Sequence, residues 1–237
     1  SEMNTVGSAL HKSTDRGAAW HSILSSSALG AVVLSPNYGA DQTILVIDAG
    51  QVKRSTNGGA TWAVTLFWDG FYHFATRLAV SPAFATDHAI YAVGNDIYYS
   101  HDGGTTWQVS TGGPPLNSNV PDRWYAGHLV PGPSGAVYLA VGRSDATPPY
   151  AAHTQLWTSS DRGVTWQQLA GTPDLPILSL AAGPTPGGAG DTLYTIVSTA
   201  NPSSEPEVAT DLLVSPNGGH TWQNLGATPR EGGRLNP

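Results

Sequence analysis

Short apolar runs with alternating polar positions recur along the chain in a fixed order. "GAVVLSP" precedes "TILVIDAG", "RLAVSP" precedes "AIYAVG", "GHLVPGP" precedes "AVYLAVG", and "ILSLAAGP" precedes "DTLYTIV". Each pair leads to a third run ("QVKRS", "DIYYS", "QLWTS", "DLLVS"), then to a polar octapeptide, then to a fourth run that opens on Thr-Trp. A period of two, rich in β-branched residues, sets side chains on alternate faces of an extended chain and predicts strands. Four strands, A to D, are thus predicted four times over, with the octapeptide as the C–D turn.

The octapeptides are "STDRGAAW" at 13, "STNGGATW" at 55, "SHDGGTTW" at 100, "SSDRGVTW" at 159 and "SPNGGHTW" at 215. Their opening serines, Ser13, Ser55, Ser100, Ser159 and Ser215, are 42, 45, 59 and 56 residues apart, the length of one four-stranded propeller blade. A tight hairpin needs a residue that tolerates positive φ, which Gly17, Gly59, Gly104, Gly163 and Gly219 supply. Two residues earlier, Asp15, Asn57, Asp102, Asp161 and Asn217 carry an oxygen that accepts backbone N–H bonds inside the turn. Asn serves as well as Asp because an amide oxygen also accepts. Trp20, Trp62, Trp107, Trp166 and Trp222 end the octapeptides with large apolar faces suited to packing between neighbouring blades. Calcium is not expected in these turns, since each offers at most one carboxylate where calcium takes about six to eight oxygens.

The pattern S-x-[DN]-x-G-x-[TA]-W resembles the Asp-box, or bacterial neuraminidase repeat, of Asp-box β-propellers. That resemblance implies an all-β propeller whose boxes are structural turns at the blade periphery, away from any active site. Five matches imply five four-stranded blades in a single domain over 1–237: about 28–67, 76–112, 125–171 and 177–227, plus a composite of 1–25 and 230–237. The first box has strands C and D but no visible strand A before it, whereas the C-terminal "GGRLNP" echoes the end of "RLAVSP". The ring is therefore expected to close by a C-terminal strand A pairing with N-terminal strands B–D, leaving no free sheet edge. A fragment of a longer propeller is the rival expectation.

Composition narrows the partners. A net charge of −7, with Lys12 and Lys53 the only lysines, argues against a phosphate-binding surface, so neither nucleic acid nor an anionic membrane is expected. With no cysteine there is no disulfide, thiolate nucleophile or Cys-ligated metal. The eight histidines show no HxH or HExxH spacing, so no metal and no cofactor is expected. No run approaches the roughly 18 apolar residues of a membrane span, so no membrane insertion is expected. The opening "SEMNTVGSALHKS" shows no basic stretch followed by an apolar run, so no signal peptide is expected in this form, and the expected location is extracellular or periplasmic.

Length variation points to the ligand face. D→A and B–C connections open on one face of a propeller, and A–B and C–D connections on the other. The irregular segments 67–76, 112–127, 143–154 and 199–210 all map to the face opposite the boxes, where loops on a rigid scaffold carry function. Aromatics beside charged groups in these loops suit sugar rings or a protein surface. The candidate ligand-binding residues are Trp68, Asp69, Tyr72, Arg123, Trp124 and Tyr150. His73, His128 and His153 are candidates to converge there, and Trp157 on a strand C is expected to be packing.

An enzyme is less favoured. Sialidases, the catalytic relatives in this resemblance, use three arginines and an activated tyrosine, for which Arg77, Arg123 and Arg143 are candidates. Their R-I-P motif is absent here, and that fold has six blades. Five-bladed glycosidases need carboxylates on inner strands, and "GAVVLSP", "RLAVSP", "GHLVPGP" and "ILSLAAGP" hold no Asp or Glu. Loop carboxylates Asp69, Asp122, Asp145, Glu205 and Glu207 keep a glycoside hydrolase, sialidase-like or other, as the alternative. The leading expectation is a non-catalytic recognition or scaffold propeller, alone or in a larger assembly, that takes a glycan or protein partner on the face opposite the boxes.

Overall fold

The computed structural model describes residues 8–67, 75–116, 123–144, 152–173, 175–188, 190–199 and 210–227. Every sheet in it is antiparallel and follows chain order. The first pairs β1 (Ser8–Lys12) with β2 (His21–Ser26). The second orders β3 (Leu29–Leu34), β4 (Ile44–Asp48), β5 (Gln51–Ser55) and β6 (Ala63–Leu66). The third holds β7 (Arg77–Val80), β8 (Ile90–Val93), β9 (Ile97–Ser100) and β10 (Gln108–Val109). The fourth holds β11 (Arg123–Pro131), β12 (Val137–Ser144), β13 (Ala152–Ser159) and β14 (Gln167–Gln168). The fifth holds β15 (Ile177–Pro184), β16 (Asp191–Ser198), β17 (Thr210–Ser215) and β18 (Gln223–Ala227).

The first strands of successive sheets touch, β3 on β7, β7 on β11 and β11 on β15, so strand A stands innermost. The architecture is all-β and that of a five-bladed β-propeller. Its first blade contributes strands C and D, β1 and β2; the strands A and B expected from the two termini lie outside the described residues.

Blades are held by seams between sheets, and alternation along each strand feeds two seams at once. Leu45 and Ile47 of the second blade pack with Ile90 and Ala92 of the third. The intervening Tyr91 and Val93 face the other way, onto Val137, Leu139 and Val141 of the fourth. Tyr138 and Ala140 then meet Leu193 of the fifth. A strand buried on both faces has no polar alternation left, which is why β4, β8 and β9 are buried at every position.

Two features differ from the sequence expectation. The A–B connections of the second and third blades contain one-turn helices, α1 (Tyr38–Asp41) and α2 (Phe84–Asp87). Each is tied by the same pair of bonds: Ser35 Oγ donates to Asp41 (2.6 Å), which accepts from the Thr43 N–H (2.8 Å), and Ser81 and Ala89 treat Asp87 alike. The fourth blade also runs longer than expected. Residues 123–127 and 143–144 are strand, not loop, because "RWYAGHLVP" finds "VYLAVGRS" as a partner of matching length.

Candidate functional site

The five box turns close by one repeated set of bonds. The opening serine hydroxyl donates to the Asp or Asn side-chain oxygen, at 2.7–2.9 Å in all five. That hydroxyl accepts the N–H of the glycine four residues on, at 2.7–2.9 Å. The Asp or Asn oxygen accepts the N–H of the seventh residue, Ala19, Thr61, Thr106, Thr165 or Thr221, at 2.8–3.0 Å. In the Asp boxes the Thr106 and Thr165 hydroxyls donate to the second carboxylate oxygen at 2.6 Å. In the Asn boxes the polarity reverses, and Nδ2 donates to Thr61 or Thr221 at 2.8 or 2.9 Å. Burial pushes the Asp102 carboxyl up, but donors from Thr106, Ser100 and Thr105 outweigh it and hold the group at about 2. Asp102 and Asp161 thus spend both carboxylate oxygens on donors inside their own turns.

The boxes fix the orientation of the molecule. Where the fourth box position is glycine, its N–H binds the A–B connection of its own blade: Gly58 N–H reaches Gln42 O, Gly103 N–H reaches His88 O, and Gly218 N–H reaches Asp191 O. A–B and C–D connections therefore share one face. On the other face the D→A chain meets a B–C turn, with Ala75 N–H donating to Gly50 O at 3.0 Å.

That opposite face is where the fourth blade stands out. Counted from the residue opposite the box serine, β8 runs four residues (Ile90–Val93) and β12 runs eight (Val137–Ser144). The four extra residues all lie at the end away from the box and add roughly 13 Å of sheet at about 3.3 Å per residue. Register sets Trp124 opposite Arg143, and Arg143 opposite His153, abreast across three strands. Arg123 lies opposite Ser144, which pairs with Ala152. Sequence reading named Arg123 and Trp124 as ligand contacts but kept Arg143 and His153 for other roles. Three runs of equal length, eight or nine residues against four in the third blade, are the signal that joins them.

Below this extension, inner strands are strapped together at the channel mouth. Arg77 on β7 donates through Nε to Gly127 O of the next blade (2.5 Å) and through Nη1 to Thr76 O (2.9 Å). His128 on β11 is half-buried, and its burial and the nearby Arg77 charge lower its pKa, against bonding to the Ile177 and Leu178 backbone. A neutral ring and a committed guanidinium make this a structural brace. Asp48, buried at the end of β4, is likewise engaged, by Lys53 Nζ at 2.5 Å and by Ser26 Oγ. Trp157 packs against the core of the third and fourth blades, with Nε1 donating to Gln155 Oε1 at 3.1 Å. Among the described residues no group of three or more His, Cys, Asp or Glu is placed to hold a metal ion.

Trp68, Asp69, Tyr72 and Tyr150 lie outside the described residues, as do His73, Asp122, Asp145, Glu205 and Glu207. The structure brings Trp124, Arg143 and His153 together through register and leaves His128 one blade edge away, in the brace.

With this geometry in view, comparison with known proteins is informative at two levels. Residues 98–109 match the BNR/Asp-box repeat. No curated protein matches the chain. Among solved structures it is similar to a GH74 enzyme of Niastella koreensis, with TM-score 0.62, 19% identity and coverage of 91% of this chain and 34% of that one. A GH74 xyloglucanase from Xanthomonas campestris gives TM-score 0.58 and 19% identity over 84% of this chain and 30% of that one. The tricorn protease gives 0.51 and 8% over 84% and 22%. At such identities the likeness is one of fold, and this chain spans about a third of the length of the two GH74 chains. No helix among the described residues is long and apolar enough to cross a membrane.

Proposed function

We propose that this propeller is a non-catalytic recognition module that binds a glycan or protein partner on the face opposite the boxes. Its binding edge is the prolonged end of the fourth blade, and it works outside the cytoplasm. The observation that carries this reading is the register that sets Trp124, Arg143 and His153 abreast at that end. Tryptophan, arginine and histidine at paired backbone positions supply residue types that stack and donate hydrogen bonds without requiring a carboxylate. Sugars and protein surfaces are both recognised by that combination. We further read all five octapeptides as copies of the repeat matched at 98–109, since their bonding is the same.

The glycoside-hydrolase reading draws support from the fold likeness to two GH74 enzymes. Against it, the innermost strands β3, β7, β11 and β15 carry no Asp or Glu. Hydrolysis by two carboxyl groups needs them about 5–9.5 Å apart across the cleft. A panel of glycans and polysaccharides, xyloglucan first, separates the readings when scored for both retention of the protein and release of product. Retention without product, abolished in Trp124→Ala, is expected of a recognition module. Cleaved product overturns the non-catalytic assignment, and silence on every glycan moves the weight to a protein partner.

A further inference from the structure

The residue before the box serine lies against the box of the next blade: Lys12 near Gly58, Arg54 near Gly103, Tyr99 near Gly163. The first two of these are cations, and the structure treats them differently. Lys12 is committed, since its Nζ donates to Gly58 O at 3.0 Å and lies 5.6 Å from the centre of the Tyr38 ring. Arg54, in the seam of the second and third blades, is not. Its Nη1 reaches only the Thr105 hydroxyl, at 3.4 Å, and its Nε is buried without a partner. Packing holds the side chain instead. A Cβ on Gly104 would stand 3.6 Å from Arg54 Cδ, and one on Gly103 would stand 3.5 Å from Nη2.

Arg54 forms part of the wall of a cleft of about 400 Å³ on the box face, where α1 of the second blade and α2 of the third also contribute. Two carboxylates, Asp41 and Asp102, share that wall without pairing with it. Among the described residues the one ion pair joins Lys53 to Asp48. Asp41 accepts from Ser35 Oγ and the Thr43 N–H, and Asp102 accepts from Ser100 and Thr106 of its own box. Each acid is thus engaged in the turn that it closes, and the guanidinium is left with donors to spare. Exposed Asn37 and Thr56 add uncharged polar groups to the cleft. Phe84, with the His88 ring edge-on to it at 5.7 Å, adds an aromatic stretch.

We propose that this cleft binds a small organic monocarboxylate and that Arg54 is the group that recognises it. A planar carboxylate accepts two parallel N–H bonds from one guanidinium, which is the bonding that Arg54 lacks. A phosphate dianion suits the cleft less, because its second charge would meet both Asp41 and Asp102. The volume lies at the lower end of the roughly 300–1,000 Å³ of small-molecule sites, which leaves room for an acid about the size of one sugar ring. The cleft opens on the face of the boxes. It is therefore separate from the prolonged end of the fourth blade and independent of what binds there.

Glucuronate titrated into the full chain and followed by amide and side-chain NMR is the probe. Glucose is the uncharged control and inorganic phosphate the more highly charged one. Expected are shifts at the Arg54 side chain and at the Gly103 and His88 amides with glucuronate, and none with either control. Arg54→Gln should weaken glucuronate binding by at least about tenfold, the worth of hydrogen bonds to a charged group. Thr56→Asp keeps Arg54 and adds a carboxylate to the wall at an exposed box position whose residue differs among the repeats. It should suppress binding with Tm unchanged, and it carries the test should Arg54→Gln lose stability. No shift with glucuronate overturns the proposal, as do equal shifts with glucose or phosphate. Binding that survives either substitution in a folded variant also overturns it. So do shifts at the exposed Arg16 and Arg162 as large as those at Arg54, since any guanidinium would then serve.

Discussion

At the scale of single residues, the box turn works as a small hydrogen-bond machine, and its parts differ in how easily water replaces them. Ser159 is buried and its hydroxyl takes the Gly163 N–H at 2.8 Å. Ser159→Ala leaves that donor without a partner, and chemical denaturation is expected to show a loss of about 1–3 kcal/mol. Ser13→Ala, in the exposed first box, should cost clearly less, because water reaches Gly17. Asp102 carries a different consequence. Its folded-state pKa, about 2 against an ordinary value of 3.8, means that its stabilisation is present above the unfolded value and lost as pH falls toward 2. Asp102→Asn should preserve the turn, as Asn57 and Asn217 do. The wild-type advantage in Tm over this variant should therefore shrink between about pH 4 and pH 2.

At the scale of elements, the seams impose demands that a lone hairpin does not. Gly163 has φ +88°, and a Cβ there would lie 2.9 Å from Tyr91 Cε1 in a fully packed seam. Gly187 has φ +70° with open space around it. Alanine at either position meets the left-handed penalty of about 1–2 kcal/mol, but only Gly163→Ala must also displace Tyr91. The expected result is a clearly larger fall in Tm for Gly163→Ala. His128 gives the seam of the fourth and fifth blades a pH dependence. With its pKa lowered from 6.5 in the folded state, the folded protein binds fewer protons than the unfolded chain, so stability falls as pH drops through 6.5. His128→Gln should flatten that part of a Tm profile taken from pH 7.5 to 5.

At the scale of the molecule, stability is shared from blade to blade because each middle blade is buried on both faces. Leu139 is fully buried where the third blade meets the fourth, and Leu139→Ala is expected to cost about 2–5 kcal/mol in denaturant titration. The rigid body so formed is what allows one blade to extend beyond its neighbours on the face opposite the boxes. Much of this was legible beforehand. The turn residues, the four repeated strand sets and the propeller class follow from "SHDGGTTW" and its near-copies. The candidate site was legible only in part. Arg123 and Trp124 were named as loop residues, whereas they begin β11, because proline- and asparagine-rich text before them hides a strand that exists only through its pairing with β12.

What the sequence determined by itself is local. Serine, Asp or Asn, glycine and the seventh residue at fixed offsets satisfy one another's hydrogen bonds within the octapeptide, so each turn forms the same way wherever it occurs. Apolar alternation likewise dictates strands without reference to distant chain. Tertiary structure alone decided which residues stand abreast and which faces are left uncovered. Trp20 and Trp166 close boxes of the same pattern, yet one is exposed and the other buried. That difference depends on whether a preceding blade lies against the box, and no property of eight residues can encode it.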